Sequence, residues 1–337
     1  MTDRNIMAKL SAALIKHREI PLLIVLALLL AGASARVPGY IANNYMNILK
    51  GSAINAVMAS GMLLVLLVGS IDISVASILA LSGAIAGMLM RDGYIGSVAG
   101  MIAAGIGIGA VIGAASGAII AYGKVLPIIV TLGMSYVARA MIPMRWLLGL
   151  NKIARIDLSD DFKVFMLDTT FLTIPALVWI TVIIITLTGL FLRYTRTGRG
   201  IYAAGSNRDA AIVRGVRVDS IRLLAHAVCG ATAGLGGIMW LGYYNSVEKT
   251  TAAGSEMYVI AACVLGGVSV TGGYGKITGV AIGAVMIATI NSAIPQLNIG
   301  NAMITEFVKG ILLLFAILLN VAIRRAARRR ELRGRHI

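Results

Sequence analysis

Acidic residues are scarce in this chain: 14 Asp and Glu stand against 30 Lys and Arg, and charged residues make up only 13% of its 337 positions. A soluble domain of this size carries about 25% charge. Half that share, with 58% hydrophobic residues and a mean hydropathy of +0.89, excludes an ordinary water-soluble fold. Cysteine is nearly missing, and Cys229 and Cys263 both sit in apolar segments, which argues against a disulfide framework or a thiolate metal site. Of the three histidines, His17 and His336 lie in terminal segments, and His226 stands alone at the start of an apolar span, where it reads as a packed or interfacial residue. Aromatics, at 6%, form no obvious ring-stacking cluster. No span holds two carboxylates, so an intramembrane enzyme has little to work with. Asp157, Asp160, Asp161 and Asp168 gather in segment 150–172 beside Lys152, Arg155 and Lys163, as expected of a solvated loop.

A nucleotide-binding loop is missing as well. Its G-x-x-x-x-G-K-[ST] pattern lets backbone amides and Lys hold phosphates. The two Gly-Lys pairs, Gly123-Lys124 and Gly275-Lys276, lack both the upstream Gly and the following Ser or Thr. No cofactor is expected on the chain itself.

What the chain does have is apolar runs of 17–25 residues without strict alternation, which excludes a β-barrel and predicts an all-α polytopic helical bundle. Apolar windows fall near 20–35, 52–69, 73–90, 95–121, 126–149, 173–192, 222–243, 256–271, 277–295 and 303–323, about ten transmembrane spans. Together they form one membrane domain, residues 1–323, followed by a basic tail, 324–337. The stretch IPLLIVLALLLAG followed by Ala33-Ser34-Ala35 has the layout of a signal peptide. The run to Ala35 is long enough to span, and further spans follow, so an uncleaved first helix is the better expectation.

Ten spans place 20 of the 30 basic residues on one side: four before Arg18 inclusive, Lys124, seven in 193–222, Lys276 and seven in the tail. By the positive-inside rule that side, with both termini, is cytoplasmic. The net charge of +16 therefore reads as topology signals beside anionic membrane lipid, with no nucleic acid as partner.

Four features stand out. Gly105, Gly109, Gly113 and Gly117 recur at every fourth position, a ridge that lets helices approach closely. Segments 65–84 and 264–284 echo each other as apolar helix, Gly-bearing break and Gly/Ala-rich helix, the pattern left by duplicated transporter halves. Asp72 is the sole charge between Lys50 and Arg91; a carboxylate there costs roughly 2.5–3.5 kcal/mol at a helix centre. Ser70 and Ser74 beside it suggest a cap on the third span, with Asp72 accepting from amides near Ser74 and Val75 toward the cytoplasmic end. Finally, the basic segment 193–222 contains a Gly hinge at Gly205 and then SNRDAAIVRGV: Ser206 or Asn207 as N-cap, Asp209 in the first turn and Gly215 as terminator. A short helix between two spans could be an ordinary interfacial element or a docking element for a cytoplasmic partner.

Four stretches, in order along nearly the whole chain, resemble one family. GSIDISVASILALSG (69–83) resembles the "GGIDLSVGS" signature of sugar-type ABC importer permeases, the membrane subunits of ribose, galactose, xylose, arabinose and autoinducer-2 uptake systems. LPIIVTLGM (126–134), TGRGIYAAGSNRDAAIVRGVRV (197–218) and AGSEMYVIAACVLGGVSVTGGYGKITGVAIGA (253–284) are similar to further stretches of it. Ala76, and Ser70 after Gly69, depart from the signature by small-for-small changes. Glu256 matches the acid of the family's "G-x-E" stretch.

The resemblance implies a permease of about ten spans in a bacterial inner membrane that pairs with a second copy, as a homodimer or heterodimer. It also implies a cytoplasmic ABC ATPase that binds the ATP and a periplasmic sugar-binding protein. Ser206, Asn207, Arg208, Asp209, Ala210, Ala211, Arg214 and Gly215 would form the ATPase-coupling loop, with Asp209 and Arg214 touching the ATPase. Asn55, Asp72, Ser74, Ser77, Thr131 and Asn291 are the candidates to line a route for a sugar-like solute. A stand-alone carrier or channel for a small neutral solute is the rival, weakened by the lack of an in-span charge network.

Overall fold

The computed structural model describes residues 19–142, 160–168 and 170–296, together with six helical positions between 304 and 318. Eleven helices organise the described residues: α1 (Glu19–Arg36), α2 (Tyr40–Leu67), α3 (Val75–Arg91), α4 (Val98–Tyr122), α5 (Pro127–Met141), α6 (Ala176–Tyr194), α7 (Arg196–Ser206), α8 (Arg208–Val213), α9 (Val218–Tyr244), α10 (Ser255–Leu265) and α11 (Ile277–Gln296). Ahead of α6 lie a helical turn, Asp160–Lys163, and a π-helical segment, Val164–Asp168. A two-residue hairpin follows, β1 (Thr170–Phe171) antiparallel to β2 (Ile174–Pro175).

Among the described residues, α2, α4, α6, α9 and α11 are long and apolar enough to cross a membrane, and α1, α3, α5 and α10 are shorter apolar helices. The chain is thus an all-α polytopic membrane bundle. Each expected span from the first to the ninth falls on one of these helices, while the tenth, 303–323, is described at six positions only. The tail 324–337, Arg145 and Asp157 lie outside the described residues.

Two boundaries differ from expectation. Helix α2 begins at Tyr40 and carries Lys50, which the expected span 52–69 leaves outside. Asn43, Asn44 and Asn47 depress the hydropathy there without breaking the helix. The Asn44 side chain donates to Tyr40 O at 3.0 Å and exchanges hydrogen bonds with Gln296 of α11, at 3.1 and 2.7 Å. Helix α10 stops at Leu265, well short of the expected 271, because Gly267 turns left-handed at φ +92°.

Packing converges on α9. Ala225, Cys229, Ala233 and Ile238 are fully buried along it. Without a hydrophobic drive between helices in lipid, close backbone approach through small residues takes over. The ridge Gly105–Gly109–Gly113–Gly117 lies on α9: a Cβ added at Gly109 would fall on the carbonyl of Gly230 and 2.9 Å from Gly234 Cα. Helix α3 approaches through Gly83, where a Cβ would stand 2.8 Å from Gly237 O. Helix α2 approaches through Gly61, where it would meet Thr232 and stand 2.7 Å from Cys229 Cα.

Segment 160–168 departs from the solvated loop the sequence suggested. Phe162 and Met166 are fully buried, and both reach Gly242 near the end of α9, where a Cβ would lie 2.7 Å from Met166 Cγ. Asp168 is exposed while Phe162 and Met166 dock.

Gly107, on the opposite face of α4, has open space around it. Gly109→Val should therefore lower the melting temperature in detergent sharply, by an overpacking cost of about 1–3 kcal/mol or more, whereas Gly107→Val should leave it nearly unchanged. Equal behaviour of the two variants would remove the close crossing as the organising contact.

Candidate functional site

Two breaks in the bundle share one backbone design. Helix α2 ends with Gly69 N donating to Leu66 O (2.9 Å) and Ser70 N to Val65 O (3.0 Å), with Gly69 at φ +72°. Helix α10 ends with Gly267 N donating to Val264 O (3.0 Å) and Val268 N to Cys263 O (2.9 Å). This paired pattern around a left-handed glycine is the Schellman ending. The sequence echo between 65–84 and 264–284 is therefore repeated in the backbone. The breaks also meet, since Gly273 N donates to Leu67 O at 2.9 Å.

The first break carries Asp72 inward. Its partner His226 lies about 12 Å along α9 from Val218, at 1.5 Å per residue. Irregular backbone at such depth survives only where protein groups satisfy its polar atoms. Asp72 Oδ1 accepts from Ser74 N at 2.9 Å and from Ser74 Oγ at 2.5 Å. Thr131 Oγ1 of α5 accepts from Ile73 N at 3.2 Å. Asp72 Oδ2 faces His226 Nδ1 at 3.3 Å, with both side chains fully buried. His226 Nε2 has no hydrogen-bond partner among the described residues.

The expected cap is met only in part: Asp72 holds Ser74 N, but Ser74 occupies the N-cap position and, among the described residues, no side chain bonds the first amides of α3. His226, expected to be an isolated packed residue, is instead the counter-group of Asp72. The pairing joins residues 154 positions apart, so no local pattern could announce it. The one available hint was that each is a lone polar group in an apolar run.

Segment 193–222 forms two helices. Thr195 caps α7 by accepting from Gly198 N at 2.9 Å, and Gly198, Gly200, Ile201 and Ala204 are buried along it. Gly205 does not act as a hinge: it belongs to α7 and lies outside the left-handed region. Its missing side chain matters for contact. A Cβ there would strike Leu67 O and stand 2.6 Å from Gly273 N, at the meeting point of the two breaks. Tyr202 strengthens this junction by donating to Gly275 O at 2.8 Å. Burial, and then Tyr274, push the Tyr202 phenol above its ordinary value, which keeps it a donor.

Helix α8 follows, capped by Asn207 Oδ1 accepting from Ala210 N at 3.0 Å, and closed by Gly215 at φ +79°. Ala211 is buried beneath it, whereas Ser206 to Ala210, Arg214 and Gly215 are exposed. Arg208 reaches Asp219 at 3.4 Å across the surface. At its tip, Ile212 is 48% and Val213 88% exposed. This apolar pair lies outside the set expected for coupling; its signal in the sequence is two aliphatic residues inside a basic loop.

The candidate route residues divide. Asp72, Ser74 and Thr131 come together at the first break, all fully buried, with Ser77 buried one turn further along α3. Asn55 is half-buried in α2, its amide 3.5 Å from Gly51 O in the same helix. Asn291 is half-buried near the far end of α11. These two do not belong to the break cluster.

A family model described as branched-chain amino acid transport system / permease component matches residues 44–317. The ribose import permease protein RbsC of Escherichia coli (strain K12) is 36% identical over 299 residues, 88% of this chain and 92% of that one. The autoinducer 2 import system permease protein LsrC of Shigella flexneri is 32% identical over 323 residues, covering 93% and 90%. RbsC of Bacillus subtilis (strain 168) is 36% identical over 280 residues, covering 82% and 84%. No solved structure matches.

Asp72→Asn keeps an oxygen for the Ser74 turn, and Asp72→Leu does not. Asp72→Leu should therefore lower folded yield and melting temperature more than Asp72→Asn. A double-mutant cycle with His226→Gln should give a coupling of about 0.5–3 kcal/mol. Equal loss for Asn and Leu would mean that charge is required and the turn is not.

Proposed function

Because the chain belongs to the permease-component family of ABC importers, we infer that its cargo is a sugar or sugar-like small molecule handed over by a periplasmic binding protein. The chain is a multi-pass transport subunit and not an enzyme, and ATPase and binding-protein partners come with the family. In this inference the membrane is a bacterial inner membrane, the basic end of the bundle is cytoplasmic, and two permease copies pair. The partner ATPase, which binds the ATP, docks on α8.

Support for the docking surface comes from the junction at Gly205. Helix α8 presents Asp209, Arg214 and the apolar pair Ile212–Val213 outward. The adjoining α7 rests without a side-chain cushion on Leu67 and Gly273. A push on α8 therefore reaches both transmembrane breaks through backbone contact alone. Closure of the ATPases would move the breaks and shift the pair of permeases between outward- and inward-facing states. Asp72, Ser74, Ser77 and Thr131 are sealed within one copy, and would meet cargo only if that movement opens the first break.

With the partner ATPase and binding protein reconstituted in proteoliposomes, Arg214→Glu or Gly215→Trp should lower substrate-stimulated ATP hydrolysis several-fold while insertion is normal. Val213→Asp should do the same if the apolar tip enters a groove on the ATPase. Normal coupling in all three variants would move the docking site elsewhere. Uptake that persists without any ATPase would restore the stand-alone carrier.

A further inference from the structure

Between α6, α7 and the start of α11 lies a groove of about 700 Å³, which shares Tyr202 with the coupling junction. Its two ends differ chemically. Toward the membrane interior it is lined by Ile185, Gly189 and Leu190; at the basic end by Arg193, Tyr202 and Lys276. Ile185 and Arg193 are about 12 Å apart along α6, at 1.5 Å per residue. No carboxylate lines it among the described residues. Arg193 and Lys276 are both exposed, and the Arg193 guanidinium lies 5.2 Å from the centre of the Tyr194 ring, so the lip combines cations with an interfacial aromatic. Arg199 adds charge nearby, donating to Tyr194 O at 3.3 Å.

We propose that this groove binds an anionic phospholipid, its phosphate held by Arg193 and Lys276 and an acyl chain lying along Ile185, Gly189 and Leu190. Apolar walls continuous with a cationic lip at the membrane surface match an acidic headgroup on a hydrocarbon tail, and basic pockets between spans on the cytoplasmic side recruit such lipids. A second copy of the chain fits less well, because a two-fold contact would set each lip's cations against the other's. Tyr202 fastens α7 to Gly275, next to Lys276, so a bound lipid would brace α6, α7 and α11 where coupling motion enters the membrane. The inference needs the membrane placement of the chain but neither its cargo nor its ATPase.

Purified permease, washed in detergent, is titrated with phosphatidylglycerol or phosphatidylcholine and followed by native mass spectrometry. The wild-type chain should retain phosphatidylglycerol preferentially. Arg193→Gln with Lys276→Gln should weaken that adduct about thirtyfold, taking the usual contribution of two interfacial cations. Arg193→Lys with Lys276→Arg should retain it, and the charge-matched control Lys124→Gln with Arg217→Gln should bind as wild type. Equal retention of the two lipids, or an equal loss in the control, would overturn the site. So would disulfide cross-linking of Leu190→Cys between two copies in membranes, which would give the groove to a second permease. None of these readouts measures transport, so failure here leaves the importer assignment standing, and the reverse also holds.

Discussion

The first half of this bundle depends on how closely α2, α3 and α4 can approach α9. In lipid the apolar side chains gain little by leaving their surroundings, so helix association rests on contact between surfaces of matched shape. Gly230, Gly234 and Gly237 give α9 a surface on which α4 and α3 lie backbone to backbone, while Gly61 brings α2 against Cys229 and Thr232. Once these crossings are set, the heights of all four helices relative to one another are fixed. That fixes the depth at which Asp72 meets His226, while α10 and α11 cross each other separately at Gly266 and Gly279.

The breaks are where this rigid packing gives way to irregular backbone. Each begins with the same left-handed glycine ending, and each is satisfied locally: the first by Asp72 and Thr131, the second by contacts such as Ser269 N donating to Tyr274 O at 2.8 Å. The lone carboxylate is costly as a bare charge, yet its chemistry is that of a substitute for missing helix hydrogen bonds. Its second oxygen is taken up by His226. Helix α7 then covers both breaks at Gly205, which makes the basic surface and the membrane interior one continuous structure.

Features set by neighbours in sequence were legible. Long apolar runs marked α1 to α6 and α9 to α11, and a strict four-residue glycine spacing marked the face of α4 that packs. Asn207 and Gly215 framed α8 because a cap and a terminator are local signals. Features set by distant contact were not. Helix α7 is hidden in the sequence, where Gly198, Gly200 and Gly205 argue against a helix on propensity, and each of them serves instead for closeness to another element. The Asp72–His226 pair, the docking of Phe162 and Met166, and the early start of α2 likewise depend on partners that no window of sequence contains.

Thr131 shows what such packing permits. Its single hydroxyl proton faces Ile71 O of the break and Ile128 O of its own helix at the same distance, 3.4 Å, while its oxygen accepts from Ile73 N. One proton cannot serve two carbonyls at once, so a small rotation about the side chain exchanges one partner for the other. Sliding of α5 along the break would then swap one hydrogen bond for another of equal length, and the hydroxyl itself would keep an acceptor throughout. The contact acts as a bearing and not a bolt: it carries load across the joint while leaving the joint free to turn.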